Sequence, residues 1–385
     1  MKGERDLRRF LLIGLLVLCA YSFAAEKLWE QVVHYPSVNP NGDTILLSGK
    51  ISVPVGKTPK GILLIPHYTI SADSEAPSNT KKGEGKIFRK DYIVLMPDLI
   101  GYGLTKDLVH PYLDGELTAR NTVDLLLYAQ PIIDSVLHKF SIFHTFRSCR
   151  QAKNFQFSIN IVGFSQGGAA ALWTLKLLEE QYADRIHVRK CFAGSGPYDV
   201  AVTYDDAIMR NYTFLPLVIP MMVMGTNEAY DLHLRQEDFF TEAAQQAYTR
   251  LIRDKQSGIT KLFFQMPHHK VDYWFTPQGM DKSQPETRRL YEGMLRSSLV
   301  HFPIDNSPVG ADSICPDWIP RTPVYVFHST KDNIVTFHCA QHLRRCFGEQ
   351  PNITYDFGNY GNHQFSCFTF FKRVKKLLEK ETADD

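Results

Sequence analysis

A serine that could act as a nucleophile lies in segment 163–167, which reads Gly-Phe-Ser-Gln-Gly. An apolar run at 157–162 predicts a strand before it, and a helix-forming run at 168–178 predicts a helix after it. A serine on such a tight turn projects its hydroxyl away from the backbone, and the flanking glycines leave room for the strained turn. The N–H of Gln166 would point to a position where a carbonyl oxygen gains negative charge. We predict a nucleophilic Ser165; the alternative is an ordinary small-residue turn.

A serine nucleophile needs a histidine that takes its proton and an acid that orients this histidine. Asp332 follows the predicted strand 323–328, in a polar turn. His363 lies in a glycine-containing loop after the predicted strand 353–357. Serine, acid and histidine then occur in the chain order expected for a nucleophile on a strand-to-helix turn. The sequence predicts that Asp332 orients His363 and that His363 activates Ser165.

Three other acids compete with Asp332. Asp199 also follows a predicted strand, although its ordinary role would be to cap a helix. Asp356 and Asp317 are weaker candidates.

Other histidines also compete with His363. His328 falls within a predicted strand, which favours a packed core residue. His338 and His342 have the i, i+4 spacing of metal ligands, but no H-E-x-x-H pattern accompanies them, so a solvated helix face is favoured. The pair at 268–269 lies in an irregular segment and indicates no role.

A second oxyanion donor is expected from the loop after the predicted strand 61–66. The N–H of Tyr68 or of Thr69 would pair with that of Gln166, and each such donor contributes roughly 3 kcal/mol in the transition state. His67 in this loop either contacts the substrate or hydrogen-bonds its own turn, and Phe164 beside the serine is a further predicted substrate contact.

Strands and helices alternate along most of the chain, which predicts an α/β fold with a mostly parallel sheet covered by helices on both faces. The alternation stops between about 200 and 320, where helices at 237–248 and 285–299 are predicted. We therefore expect a catalytic domain formed by 25–199 and 321–385, with a mainly helical cap, 200–320, over the catalytic face. The apolar segment 214–224 is either the cap's core or a wall of a substrate pocket, with Met221 and Met222 as predicted contacts.

These motifs resemble those of the α/β-hydrolase fold and, more narrowly, of the secretory lipase family of fungal lipases and bacterial relatives. The matching stretches are 67–70, 76–78, 92–103, 163–168, 193–197, the turn at Asp332 and 361–363, spread over roughly 45–375. The resemblance implies triad roles for Ser165, Asp332 and His363 and a helical lid before the acid-bearing strand. Tyr68 departs from the family pattern, which has a glycine after the histidine.

The N-terminal segment predicts a secretory signal peptide over residues 1–24. A basic-biased start precedes an apolar run at 10–20, and Ser22-Phe23-Ala24 is a small-x-small cleavage signal. An uncleaved anchor is the alternative, although the run is short for a membrane span. Lipidation at Cys19 is disfavoured by the bulky Leu18. The expected location is therefore secreted or periplasmic.

The composition is that of a globular protein, with 44% hydrophobic and 22% charged residues among 385. The formal net charge of +2 gives no case for nucleic-acid binding. Six cysteines remain after the signal, which permits disulfides, but Cys339 and Cys346 on one predicted helix are too far apart to bridge.

The sequence thus predicts a serine hydrolase of small-molecule, lipid or glycan carboxylic esters that works through an acyl-enzyme, with no cofactor and no metal. Two alternatives remain. A serine exopeptidase would need an acidic site for a free amine, which the pairs at 205–206 or 237–238 could supply. A non-catalytic binding protein could share the same fold. The oligomeric state and the natural ester are left open.

Overall fold

A single sheet of eight strands forms the framework of the structure, a computed structural model that describes residues 27–140, 157–304 and 313–384. The strand order is β1-β2-β4-β3-β5-β6-β7-β8. β1 pairs with β2 and β2 with β4 in antiparallel fashion, and every later pair is parallel. The strands are β1 (Lys27–Val38), β2 (Thr44–Val55), β3 (Ile62–Leu64), β4 (Ile93–Pro97), β5 (Ile159–Phe164), β6 (Val188–Gly194), β7 (Val324–Ser329) and β8 (Ile353–Gly358).

The central strands are apolar throughout because both faces of the sheet are covered. β3, β4, β5 and β7 are buried at every residue, which is typical of a parallel sheet between helices. Ile161 and Val162 are consecutive and belong to different apolar clusters, one on each face. The α/β class and the mostly parallel sheet are confirmed.

The helices fall into two groups. Those that cover the sheet are α1 (Gly115–Phe140), α2 (Gln166–Gln181), α11 (His338–Phe347) and α12 (His363–Asp384). Those between β6 and β7 are α3 (Val200–Arg210), α4 (Val218–Tyr230), α5 (Gln236–Phe239), α6 (Glu242–Ala247), α7 (Ile259–Gln265), α8 (Val271–Trp274), α9 (Pro277–Met280) and α10 (Pro285–Ser297). A wider helical turn, Tyr248–Ile252, follows α6.

The second group has an apolar core of its own, in which Met221, Phe239 and Trp274 are buried. It occupies the segment predicted as the cap. The helix predicted at 237–248 is broken, because Phe240 leaves the helix to pair with Phe275 in an isolated bridge. Thr241 then caps α6 through its side chain.

One disulfide joins the segment between α10 and β7 to α11. Cys315 and Cys346 are bonded, with their Cα atoms 5.4 Å apart. Cys339 is free and buried, in agreement with the exclusion of a Cys339–Cys346 bridge. The predicted signal peptide, 1–24, and Cys149 lie outside the described residues. No helix in the described ranges has both the length and the apolar character needed to cross a bilayer.

Candidate active site

Ser165 lies on a strained turn between β5 and α2. Its φ of 58° and ψ of −126° are unusual for a residue with a side chain. The turn requires its glycines: a Cβ on Gly163 would lie 1.9 Å from the carbonyl oxygen of Gly167, and one on Gly167 would lie 2.2 Å from that of Pro66. The Ser165 N–H donates to the Gly194 carbonyl at 2.8 Å, which fixes the turn to β6. The sequence pattern therefore folds into the turn that was expected of it.

The structure brings Ser165, His363 and Asp332 together. His363 Nε2 lies 2.9 Å from Ser165 Oγ, and His363 Nδ1 lies 2.7 Å from Asp332 Oδ2. Ser165 and His363 are 198 residues apart in the chain. They meet because β5, β7 and β8 are parallel, so that the loops after these strands all lie at one edge of the sheet.

Asp332 is held as a carboxylate. Burial raises its pKa, but the charge and hydrogen bond of His363 and the backbone N–H of Ile334 outweigh burial, and its pKa is lowered. Its Oδ1 accepts hydrogen bonds from the N–H groups of Ile334 and Val335 at 3.0 and 2.9 Å. A fixed carboxylate can keep the Nδ1 proton of His363 in place and leave Nε2 free to accept the serine proton.

The structure corrects the assignment of Phe164 as a substrate contact. Its ring is 2% exposed and packs against His363, at a centroid distance of 4.8 Å, and against Phe370 and Phe371 of α12. Phe164 therefore supports the imidazole from inside the fold. Alternation along β5 explains this, because Phe164 faces the layer formed by α12.

The backbone N–H of Gln166 fits the predicted role of an oxyanion donor, whereas the prediction for the N–H of Tyr68 is corrected. Gln166 is the first residue of α2, where a backbone N–H has no partner within the helix. The Tyr68 N–H instead donates to Glu84 Oε1 at 2.7 Å. Thr69, the alternative in the same loop, has an N–H without an acceptor among the described residues. The geometry thus favours Gln166 with Thr69.

The prediction that His67 contacts the substrate is also corrected, because its ring is buried and hydrogen-bonds two loops. It is 1% exposed, with Nδ1 2.7 Å from the Tyr68 carbonyl oxygen and Nε2 3.0 Å from that of Asp98. The ring thus joins the loop after β3 to the turn after β4. The structure supports the alternative in which His67 hydrogen-bonds its own turn.

Two residues near the site were not singled out from the sequence. Glu84 is buried beside Tyr68, and burial raises its pKa although the Tyr68 N–H acts in the opposite direction. His110 Nε2 lies 2.7 Å from Gln166 Nε2, and burial lowers the pKa of His110 to about 3, so its neutral ring can accept from the amide. Neither belongs to a motif. Glu84 is the one acid in a lysine-rich stretch, 81–90, and His110 is a lone ring between Val109 and Pro111.

The competing acids have other partners. Asp199 caps α3 through Val202 at 2.8 Å and lies 2.9 Å from His301 Nδ1 and 2.8 Å from His342 Nδ1. Asp356 pairs with Arg373, and Asp317 is exposed.

The other histidines that the structure describes lie in different surroundings. His342 is buried rather than on a solvated face, and no group of three or more possible ligands occurs among the described residues. His328 is fully buried in β7, as expected of a core residue, with Nε2 3.8 Å from Asp332 Oδ2.

The two predicted methionines differ in position. Met222 lines a narrow cavity of about 30 Å³ with Asn333 and Ile334, the neighbours of Asp332. The Oδ1 of Asn333 accepts from the His363 N–H at 3.3 Å, so this cavity adjoins the loops that carry Asp332 and His363. Met221 is absent from this lining and is buried in the cap core.

Comparisons with known proteins agree with this architecture. No family model and no curated protein matches the sequence. A crystal structure from Legionella pneumophila, provisionally described as that of a hydrolase, has a TM-score of 0.75 at 16% identity, over 92% of this chain and 89% of that one.

Two further structures are similar. The rice cell wall degrading esterase LipA from Xanthomonas oryzae has a TM-score of 0.70 at 19% identity, over 91% and 88% of the two chains. Candida antarctica lipase A has a TM-score of 0.62 at 14% identity, over 88% of this chain and 74% of that one. At such identities the likeness shows the fold, and this chain has the α/β-hydrolase fold of these esterases and lipases.

Proposed function

We propose that this protein is a serine hydrolase of carboxylic esters that works through an acyl-enzyme. The hydrogen-bonded chain from Asp332 through His363 to Ser165 carries the proposal, because it is the arrangement that turns a hydroxyl into a nucleophile. An esterase and a lipase among the similar folds add support.

The mechanism follows from the geometry. His363 Nε2 takes the proton of Ser165 as Oγ attacks the ester carbonyl, and Asp332 stabilises the imidazolium that forms. The N–H groups of Gln166 and Thr69 would stabilise the oxyanion. His363 then protonates the leaving alcohol. A water activated by the same imidazole attacks the acyl-enzyme and releases the acid.

The test is hydrolysis of short p-nitrophenyl esters by the wild type and by Ser165→Ala. We expect turnover and a burst of p-nitrophenol from the wild type and loss of both in the variant. Mass spectrometry of the quenched wild type should show one acyl group on Ser165. If neither the wild type nor Ser165→Ala hydrolysed these esters, the enzyme proposal would be rejected and a binding protein would be favoured.

The exopeptidase alternative has less support. The acidic residues considered for a free amine have basic partners: Asp205 lies 2.9 Å from Lys282 Nζ, and Asp238 lies 2.8 Å from Arg235 Nη2. An aminoacyl-anilide panel, run beside the esters, tests this alternative. Faster cleavage of anilides than of esters would overturn the ester assignment.

We also propose that residues 1–24 are a signal peptide and that the mature chain is secreted or periplasmic. The basic, apolar and small-residue pattern of this segment supports the proposal. Mass determination of the mature N-terminus after export tests it. A mature protein that retains Met1 would contradict cleavage.

A further inference from the structure

An exposed aromatic and basic surface lies on α12, the helix that begins at His363. Phe365 and Phe368 are 67% and 73% exposed, whereas Phe370 of the same helix is fully buried against the sheet. Residues 365, 368, 372 and 376 lie on one helix face because they are three or four positions apart. This face carries two phenylalanines followed by two exposed lysines, Lys372 and Lys376.

The segment 84–92 runs alongside α12 and extends this surface. Phe88 contacts Phe371 at a centroid distance of 6.4 Å, and further along both segments the Tyr92 hydroxyl donates to the Leu378 carbonyl at 3.5 Å. Ile87, directly before Phe88, is 43% exposed. We call the α12 surface the set formed by Ile87, Phe365, Phe368 and the exposed lysines Lys81, Lys82, Lys86, Lys372, Lys375 and Lys376.

Few acidic residues lie near the lysines of the α12 surface. No Asp or Glu occurs between His363 and Leu378. Two acids occur within 81–92. Glu84 is buried with its carboxylate on the Tyr68 N–H, and Asp91 pairs with Lys57 at 2.9 Å. Lys375 lies 3.9 Å from Glu379, a long and exposed pair. Because the whole chain carries a formal charge of only +2, the excess of lysines here is a local feature.

We propose that the α12 surface docks on an anionic lipid bilayer. Exposed phenylalanines and isoleucine can insert at the boundary between headgroups and acyl chains, and the surrounding lysines can contact anionic headgroups. An anionic polymer would use the lysines but gain little from three exposed apolar side chains. A second copy of this surface is disfavoured because lysines would face lysines.

The docking would place the candidate active site at the lipid surface, because His363 is the first residue of α12. Vesicle binding itself does not depend on the proposed hydrolysis. The consequence, that esters within or at a bilayer are the substrates, rests on the proposed function.

The test measures binding of the full chain to vesicles in the Ser165→Ala background, so that hydrolysis cannot change the lipid. We expect at least ten-fold tighter binding to phosphatidylcholine vesicles that contain phosphatidylglycerol than to phosphatidylcholine alone, and weaker binding as salt rises. This comparison needs no surface substitution and is independent of any folding defect. Equal binding to both vesicles, or none to the anionic ones, would overturn the proposal.

A matched pair of variants locates the contact. Phe368→Ser with Lys372→Glu changes one exposed ring and one lysine on α12, and Phe264→Ser with Lys261→Glu changes the same residue types on α7 in the cap. Phe264 is 75% exposed, so its exposure matches that of Phe368. Since one lysine near an anionic surface contributes about five-fold in affinity and a glutamate there opposes binding equally, we expect at least a 25-fold loss for the α12 variant. The α7 variant should bind like its parent.

Three results would contradict the assignment: equal losses in both variants, tight binding to heparin that does not depend on Phe365 and Phe368, or a stable dimer that Phe365→Ser/Phe368→Ser converts to monomer. With Ser165 restored, the α12 variant should hydrolyse a soluble short ester at the parental rate. Vesicle binding without any ester hydrolysis would reject the proposed function and leave the docking surface intact. Hydrolysis without vesicle binding would reject the docking surface and leave the proposed function intact.

Discussion

At the scale of single residues, the site depends on the position of one buried carboxylate. Asp332 receives two backbone N–H groups and the imidazole of His363. These donors keep it ionised although burial opposes ionisation. The carboxylate can then select the tautomer of His363 that accepts a proton from Ser165.

Asp332→Asn should therefore reduce kcat on a short ester by about 10³- to 10⁴-fold, because an amide can stabilise the wrong tautomer and carries no charge. Circular dichroism should show an unchanged fold. Asp317→Asn is the control: Asp317 is exposed and was a weaker candidate for the acid that orients His363, so this variant should retain full activity. A loss of less than ten-fold in Asp332→Asn would assign the acid role elsewhere.

At the scale of elements, α4 places neighbouring methionines in different surroundings. Met222 lines the cavity next to Asn333, whereas Met221 packs inside the cap. A cavity of about 30 Å³ has room for about one water, so an acyl chain fits only if its lining moves.

Met222→Ala should enlarge this cavity and raise the kcat/KM ratio of longer to shorter acyl esters by roughly 10-fold. Met221→Ala is the matched control. Both should lose about 2–5 kcal/mol of unfolding free energy, but only Met222→Ala should change chain-length preference. The same shift in both variants would show that general loosening of the cap, rather than the cavity, sets the preference.

The start of α1 gives a prediction about pH. Asp114 Oδ1 accepts from the Leu117 N–H at 3.1 Å. Burial raises the pKa of Asp114 to about 6, although that hydrogen bond acts in the opposite direction. An unfolded aspartate has a pKa of about 3.9. The contribution of this group to stability is therefore fully present below about pH 4 and is lost as pH rises through about 6.

Asp114→Asn keeps a capping side chain and removes the charge. Its unfolding free energy should exceed that of the wild type by on the order of 2 kcal/mol at about pH 7.5 and equal it near pH 4, as measured by urea unfolding. Asp43→Asn, at an exposed loop aspartate, should show no such gain. An Asp114→Asn protein that is less stable than the wild type at both pH values would contradict the raised pKa.

At the scale of the whole molecule, Asp199 connects the helices between β6 and β7 to α11. It caps α3 and contacts His301, which follows α10, and His342 of α11. Burial raises its pKa, but the hydrogen bonds of the two histidines outweigh burial, and the pKa is lowered. Its contribution to stability is thus present above about pH 4 and is lost as pH falls through its lower pKa in the folded state.

Asp199→Asn should lower the unfolding free energy by about 3 kcal/mol at neutral pH, because a buried charge-assisted cluster loses its acceptor charge. The difference from the wild type should narrow below about pH 4. Asp205→Asn on the same helix removes a more exposed ion pair with Lys282 and should cost less than about 1 kcal/mol. Similar losses in both variants would contradict the connecting role, and chemical unfolding at several pH values distinguishes these outcomes.

Short-range patterns in the sequence determined much of this protein. The glycines around Ser165, the apolar runs of β5 and β7, and the turns that carry Asp332 and His363 each reflect local backbone geometry, so the strands and the order of the triad could be predicted. The distances between these residues do not follow from such local patterns, and their roles as catalysts are a hypothesis.

Tertiary structure alone decided which neighbours each side chain meets. The Tyr68 N–H is occupied because Glu84, 16 residues later, folds back beneath it. Phe164 supports His363 rather than a substrate, and Asp199 gains two histidines that lie 102 and 143 residues away. No local pattern encodes such contacts, because they depend on how parallel strands and the cap converge at one edge of the sheet.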